Sequence, residues 1–283
     1  MTAFLLRVNR IQPAFGFEFG LDSPRANEGR ATNPYGQANV SYSLVQRQDG
    51  HVVRHTLIDC GMGVIPSLLE FEQSHGVHVV HEVLLTYPHL DHFAQLDWLS
   101  MCLLRSGRPD QPLPLPIYAS PECWTNGPNG VHRYLAGRSD FRPLAPGIAV
   151  VLGGLTVTPF AVDHGPKAPG AVGFVVEHGS RKIVITGDFL RLPEEDNPLL
   201  FDADVMFLDA NTWHPANRTA HQSVLGNLHL IDKWRPKRAY MIHYSGDEDR
   251  APGDGDCGGR SGAERRGYQA TGSPLSAACR AGI

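Results

Sequence analysis

Leu84-Leu85-Thr86-Tyr87-Pro88-His89-Leu90-Asp91-His92 decides how this chain is read. Val83, Leu84 and Leu85 form a short apolar run suited to a buried strand, and Pro88 stops a ladder or a helix there. His89, Asp91 and His92 then fall within four positions, ahead of a helix-like run from Phe93 to Leu104. Two imidazoles and a carboxylate on a loop at a strand's end can converge on one cation from a rigid base.

Four further residues follow apolar runs in the same way. Asp59 closes Leu57-Ile58-Asp59, and His164 follows Phe160-Ala161-Val162-Asp163. Asp188 follows Ile185-Thr186-Gly187, and His243 follows Tyr240-Met241-Ile242. A side chain directly after a buried strand lies at the edge of a sheet, where binding groups collect.

Around these points the pattern alternates between strand and helix. Asn39–Val45 and Val52–Ile58 read as a hairpin across Gln48-Asp49-Gly50. Ile65–Ser74 carries apolar residues at helical spacing, Glu82–Thr86 reads as a strand, and Phe93–Leu104 as a helix. Leu115–Ala119 reads as a strand, followed by a helix start at Ser120-Pro121-Glu122. Strands are expected at Ile148–Leu152, Leu155–Val162, Val172–Glu177, Lys182–Thr186, Asp204–Leu208 and Ala239–Ile242, with a helix over His221–Trp234 before the last. Hairpins mixed with crossover helices suggest a mixed sheet covered by helices. From Gly246 onward Gly, Asp, Arg, Ser and Ala dominate, so residues 1–248 are read as one domain and Asp249–Ile283 as a disordered tail.

The 283 residues carry a net charge of −4, so no global field favours nucleic acid or an anionic membrane. The apolar run in Met1–Arg7 is short for a signal peptide, and no segment approaches the roughly 20 apolar residues needed to span a bilayer. A cytoplasmic protein is the expectation. The five cysteines form no C-x-x-C pair, which supports neither a zinc ribbon nor a disulfide framework.

The ordered residues resemble the metallo-β-lactamase superfamily, with Tyr87 where the first histidine of its H-x-H-x-D-H signature would stand. The resemblance implies an α/β fold, a four-layer αββα sandwich of two mixed β-sheets. It assigns His89 and His164 to metal one, Asp91, His92 and His243 to metal two, and Asp188 to both. Zn²⁺ is the default for such a mixed N/O shell, one or two ions, with Mn²⁺ and Fe as alternatives. Such ions lower the pKa of water from ~15.7 toward ~7. A homodimer is also compatible with the resemblance.

Tyr87 leaves three outcomes open: phenolate ligation, which would favour iron; a weak metal one completed by water, the leading expectation; or operation on metal two alone. Tyr87 could also give a proton or a hydrogen bond to a substrate oxygen. His221, which precedes His243 by 22 positions, is similar to an extra histidine of the ribonuclease Z and cyclic-phosphodiesterase branch. There it helps protonate or stabilise the leaving oxygen. Asp91, His221 and Tyr87 are therefore the candidate catalytic residues.

The leading reading is a metal-dependent hydrolase acting on a small phosphodiester, cyclic phosphate or nucleotide-like. A small-molecule substrate and no membrane partner are expected. The negative charge, together with no visible basic insertion, argues against nucleic acid as a partner. The alternatives are a lactonase, thioesterase or β-lactamase attacking a carbonyl, a non-haem iron oxygenase on the same scaffold, and a binding protein that has lost catalysis.

Overall fold

Apolar alternation on the strands turns one face of each sheet toward the other. The computed structural model describes residues 2–11, 39–126, 135, 137–215 and 220–244. The first sheet contains β1 (Thr2–Arg10), β2 (Ser41–Gln48), β3 (His51–Ile58), β4 (Glu82–Leu84), β5 (Leu115–Ala119) and β6 (Ser139–Pro143), paired in that order. β1, β2 and β3 are antiparallel neighbours, whereas β3 to β6 run parallel. The β2–β3 hairpin turns at Asp49 and Gly50, both left-handed (φ 50° and 85°), as the twist of a two-residue loop demands.

The second sheet contains β7 (Val150–Leu152), β8 (Leu155–Ala161), β9 (Val172–His178), β10 (Arg181–Ile185), β11 (Val205–Asp209) and β12 (Ala239–Ile242). It too is ordered by sequence, antiparallel from β7 to β10 and parallel from β10 to β12. The described α-helices include α1 (Val64–His75), α2 (Leu90–Phe93), α3 (Leu96–Ser106), α4 (Pro121–Asn126) and α5 (Val224–Trp234).

Three apolar layers hold these parts together. Between the sheets, Tyr42, Leu44, Ile58 and Leu84 pack with Val157, Phe174, Ile185 and Phe207. Their chain neighbours point the other way, so Leu57, Val83 and Ile117 meet Phe93, Leu96 and Leu99 on the outer side of the first sheet. On the outer side of the second, Val184, Met206 and Leu208 meet Leu230 and Trp234. The result is the αββα sandwich of two mixed sheets that the family resemblance implied.

Some local expectations need correction. β1 and β6 were not foreseen, because Ser139-Asp140-Phe141-Arg142-Pro143 has no apolar alternation and is held as an edge strand by its backbone pairing with β5. The helix expected over Phe93–Leu104 is two pieces, α2 and α3, broken at Ala94-Gln95. Trp98 is 67% exposed, because α3 turns Leu96, Leu99 and Leu103 inward. α5 begins at Val224, with the Ser223 hydroxyl accepting from the Gly226 N–H, so His221 precedes that helix. The expected domain limit at residue 248 and the Asp249–Ile283 tail lie outside the described residues. Among the described residues no helix is long and apolar enough to cross a membrane.

Candidate metal centre

Strand direction explains why distant residues meet. β3 and β4 run parallel, so Asp59 and the His89–His92 loop leave the first sheet at one edge. β8 and β10 are each antiparallel to β9 and hence point the same way, with β11 and β12 parallel to β10. His164, Asp188, Asp209 and His243 therefore all emerge at one edge of the second sheet.

Local backbone then aims the side chains. Asp59 and His243 are both left-handed (φ 58° and 63°), a conformation that costs a non-glycine residue of order 1 kcal/mol and turns it out of its strand's alternation. The Thr86 N–H and hydroxyl donate to the two Asp59 oxygens at 2.9 and 2.8 Å. Asp59 Oδ2 in turn lies 2.7 Å from His92 Nδ1. That contact places the proton on Nδ1 and directs Nε2 to the cluster, as a carboxylate behind a ligand histidine does.

Asp91, His92, Asp188 and His243 form a buried group whose donor atoms lie within 4.8 Å of one another. Asp188 Oδ2 is 3.1 Å from His243 Nε2 and 3.5 Å from His92 Nε2, and Asp91 Oδ2 is 3.4 Å from each of those nitrogens. A second such group contains Asp188, Asp209, His221 and His243. Asp209 was not among the expected site residues. Its signal was present: like Asp59 and Asp188, it closes an apolar strand, here Val205-Met206-Phe207-Leu208.

The donor set fits a borderline divalent cation. Four carboxylates, Asp59, Asp91, Asp188 and Asp209, are buried together, and their ion pairs among the described residues run only to imidazoles. His92 Nε2 and Asp188 Oδ1 are buried without a hydrogen-bond partner, a costly state that coordination would relieve. Burial pulls the His92 imidazole down, yet Asp188, Asp59 and Asp91 hold its pKa well above 6.5. Such crowding of charge is what a cation would settle.

His89 and His164 join neither group. Their rings sit 5.0 Å apart, edge to face, with the Tyr87 ring 4.8 Å from His89 and 4.6 Å from His164. The buried Tyr87 hydroxyl donates to Asp188 Oδ2. Burial, then the charges of Asp188 and Asp91, push this phenol well above 10, which opposes the phenolate outcome. Of the expected ligands, Asp91, His92, Asp188 and His243 thus come together, while Tyr87 stands among His89, His92 and His164.

His221 lies beside the cluster. Its Nδ1 is 2.9 Å from Asp209 Oδ2, and its ring stacks on His243 at 4.8 Å. Asp209 is itself held by the Phe189 N–H, which donates to Oδ2 at 3.0 Å. Burial pulls His221 down, but Asp209 and then Asp188 outweigh it and raise its pKa from 6.5 to about 9. A cationic imidazole next to a metal-type cluster can give a proton to an oxygen that is leaving.

Residues 54–244, more than half of the chain, match the model of the beta-lactamase superfamily domain. No curated protein matches the chain by sequence. Among solved structures, a diphosphatase from the PhnP family is similar at 22% identity, with a TM-score of 0.66 over 86% of this chain and 87% of that one. The Zn²⁺-bound PqqB from Methylobacterium extorquens is similar at 17% identity, with a TM-score of 0.67 over 86% and 89%. The human tRNase Z, short form, is similar at 18% identity, with a TM-score of 0.63 over 88% and 94%.

At these identities the similarities show a shared fold. They also overturn the expectation that set nucleic acid aside as a partner. A tRNase Z shares the architecture over 94% of its own length, so a net charge of −4 and the lack of a visible basic insertion do not separate this chain from such proteins. Net charge sums the whole surface, whereas a polyanion meets only the field near the site.

Proposed function

The chain belongs to the beta-lactamase superfamily, and from that premise we propose that it is a metal-dependent hydrolase that cleaves phosphodiesters. The observation that carries this reading is the pairing of a buried Asp91/His92/Asp188/His243 cluster with the Asp209-held imidazole of His221 beside it. Cleavage of a diester needs a proton for its leaving alkoxide, and His221 supplies a group for that task.

Asp91, His92, Asp188 and His243 would hold the cation, and Zn²⁺ suits their mixed nitrogen and oxygen donors, with Mn²⁺ and Fe as alternatives. Bound there, the ion supplies Lewis acidity and makes water acidic enough to attack near neutral pH. Asp59 fixes the His92 tautomer through Nδ1, keeping Nε2 toward the cluster. Asp91 would accept a proton from the attacking water. Asp209 fixes the His221 ring through Nδ1, so the proton passes from Nε2 to the leaving oxygen. The substrate class is a phosphodiester, small and cyclic, nucleotide-like, or part of a nucleic acid.

The test is hydrolysis of a chromogenic phosphodiester and a lactone by the same metal-loaded preparation. The reading requires turnover of the diester that His221→Ala reduces. Lactone turnover alone, unchanged by that substitution, would replace it with carbonyl hydrolysis.

A further inference from the structure

Asp188, the expected bridging carboxylate, accepts a hydrogen bond from Tyr87 on one oxygen, while its Oδ1 is buried without a hydrogen-bond partner. Its Oδ2 faces His92 and His243 Nε2 at 3.5 and 3.1 Å, and the same atom accepts the Tyr87 hydroxyl proton. One direction at that oxygen is thus given to a hydrogen bond. Tyr87 also takes up the room. Its ring centroid lies 4.8 Å from that of His89, 4.2 Å from His92 and 4.6 Å from His164, so it stands among the imidazoles that would flank a second ion. Its burial is nearly complete, at 1% exposure, and leaves it little freedom to swing aside.

We propose that Tyr87 makes this centre mononuclear, its ring and hydroxyl standing among His89, His92 and His164 where a second cation would bind. The inference rests on the reading of Asp91, His92, Asp188 and His243 as a metal centre. Tyr87 is then a positioning residue: it holds Asp188 by a hydrogen bond from one side while the single cation holds it from the other. His89 and His164 become lining residues of the pocket. The His164 Nδ1–H donates to the Ala220 carbonyl at 2.8 Å, which fixes that ring without any ion.

The experiment is titration of the full chain with Mn²⁺, read by calorimetric stoichiometry and by electron paramagnetic resonance. Wild type is expected to bind one Mn²⁺ per chain and to give an uncoupled hyperfine spectrum. Tyr87→His is expected to bind two, with the spectrum of an exchange-coupled pair. Two coupled ions in wild type would overturn the proposal, and so would a folded Tyr87→His variant that still binds one. Where that variant does not fold, the wild-type spectrum decides alone. Binding of no metal at all would instead overturn the metal-centre reading beneath it, so the two failures are told apart.

Discussion

Asp209 and His221 face each other across 2.9 Å, a carboxylate at the end of β11 holding an imidazole three residues ahead of α5. The pair joins an element of the second sheet to the loop that enters the outer helix. If His221 protonates the leaving oxygen, His221→Ala lowers kcat on a phosphodiester by about 10²- to 10⁴-fold. Asp209→Asn keeps the shape but loses the charge that orients the ring, and a fall of about 10- to 100-fold is expected. Steady-state rates with leaving groups of graded acidity check both. The loss should shrink as the leaving group becomes more acidic, and an even loss across the series would remove His221 from that role.

Gly61 is there because nothing larger fits. A Cβ at that position would lie 1.6 Å from the Asp91 carbonyl oxygen, and the carbonyl is backbone that cannot swing away. Gly61→Ala therefore displaces the loop that carries Asp91 and His92. We expect a loss of about 3 kcal/mol or more in denaturant unfolding, at the upper end of overpacking costs, together with weaker metal binding by calorimetry. Unchanged stability and metal affinity would show that the loop is not pinned there.

His55 supplies a pH dependence that does not involve the centre. Its Nδ1–H donates to the Val79 carbonyl at 2.7 Å, and Nε2 faces the Ser43 hydroxyl at 2.8 Å. Burial lowers its pKa from 6.5 to about 4 against the opposing pull of the Val79 bond. The unfolded chain then binds the proton more readily than the folded one. The His55 contribution is full above pH 6.5 and is lost as pH falls from 6.5 toward about 4, a change of about 3 kcal/mol at 1.36 kcal/mol per unit. Urea unfolding of wild type and His55→Gln at pH 7.5 and 4.5 tests it. The variant should lose less stability over that interval, and parallel losses would refute the assignment.

A ligand that binds only the folded chain stabilises it, which gives the cluster a thermal signature. Saturation with Zn²⁺ at about 100 times its dissociation constant should add about 2.7 kcal/mol to the folded state. His92→Ala removes a donor that Asp59 orients and should abolish most of the rise in Tm. A rise that survives His92→Ala would place the stabilising ion elsewhere.

The sequence displayed much of this. His89, Asp91, His92, His164, Asp188 and His243 were legible because each follows an apolar run and matches the order of the family's ligands. The two-sheet sandwich came from the family resemblance, since periodicity alone left the layout open. Asp209 escaped notice because it closes β11 as its last residue, where a carboxylate reads as a turn former. β6 was hidden because an edge strand can be held by backbone bonds with little apolar pattern. Tyr87 put metal one in question from the sequence, but the position of its ring between His89 and His164 could not be read from spacing.

Anomalous diffraction from crystals grown with Zn²⁺, collected above and below the zinc absorption edge, tests the convergence of these residues most directly. The account predicts a strong peak about 2.0–2.2 Å from donor atoms of Asp91, His92, Asp188 and His243. No peak in that pocket, or one bound only by surface histidines such as His75 and His78, would contradict it.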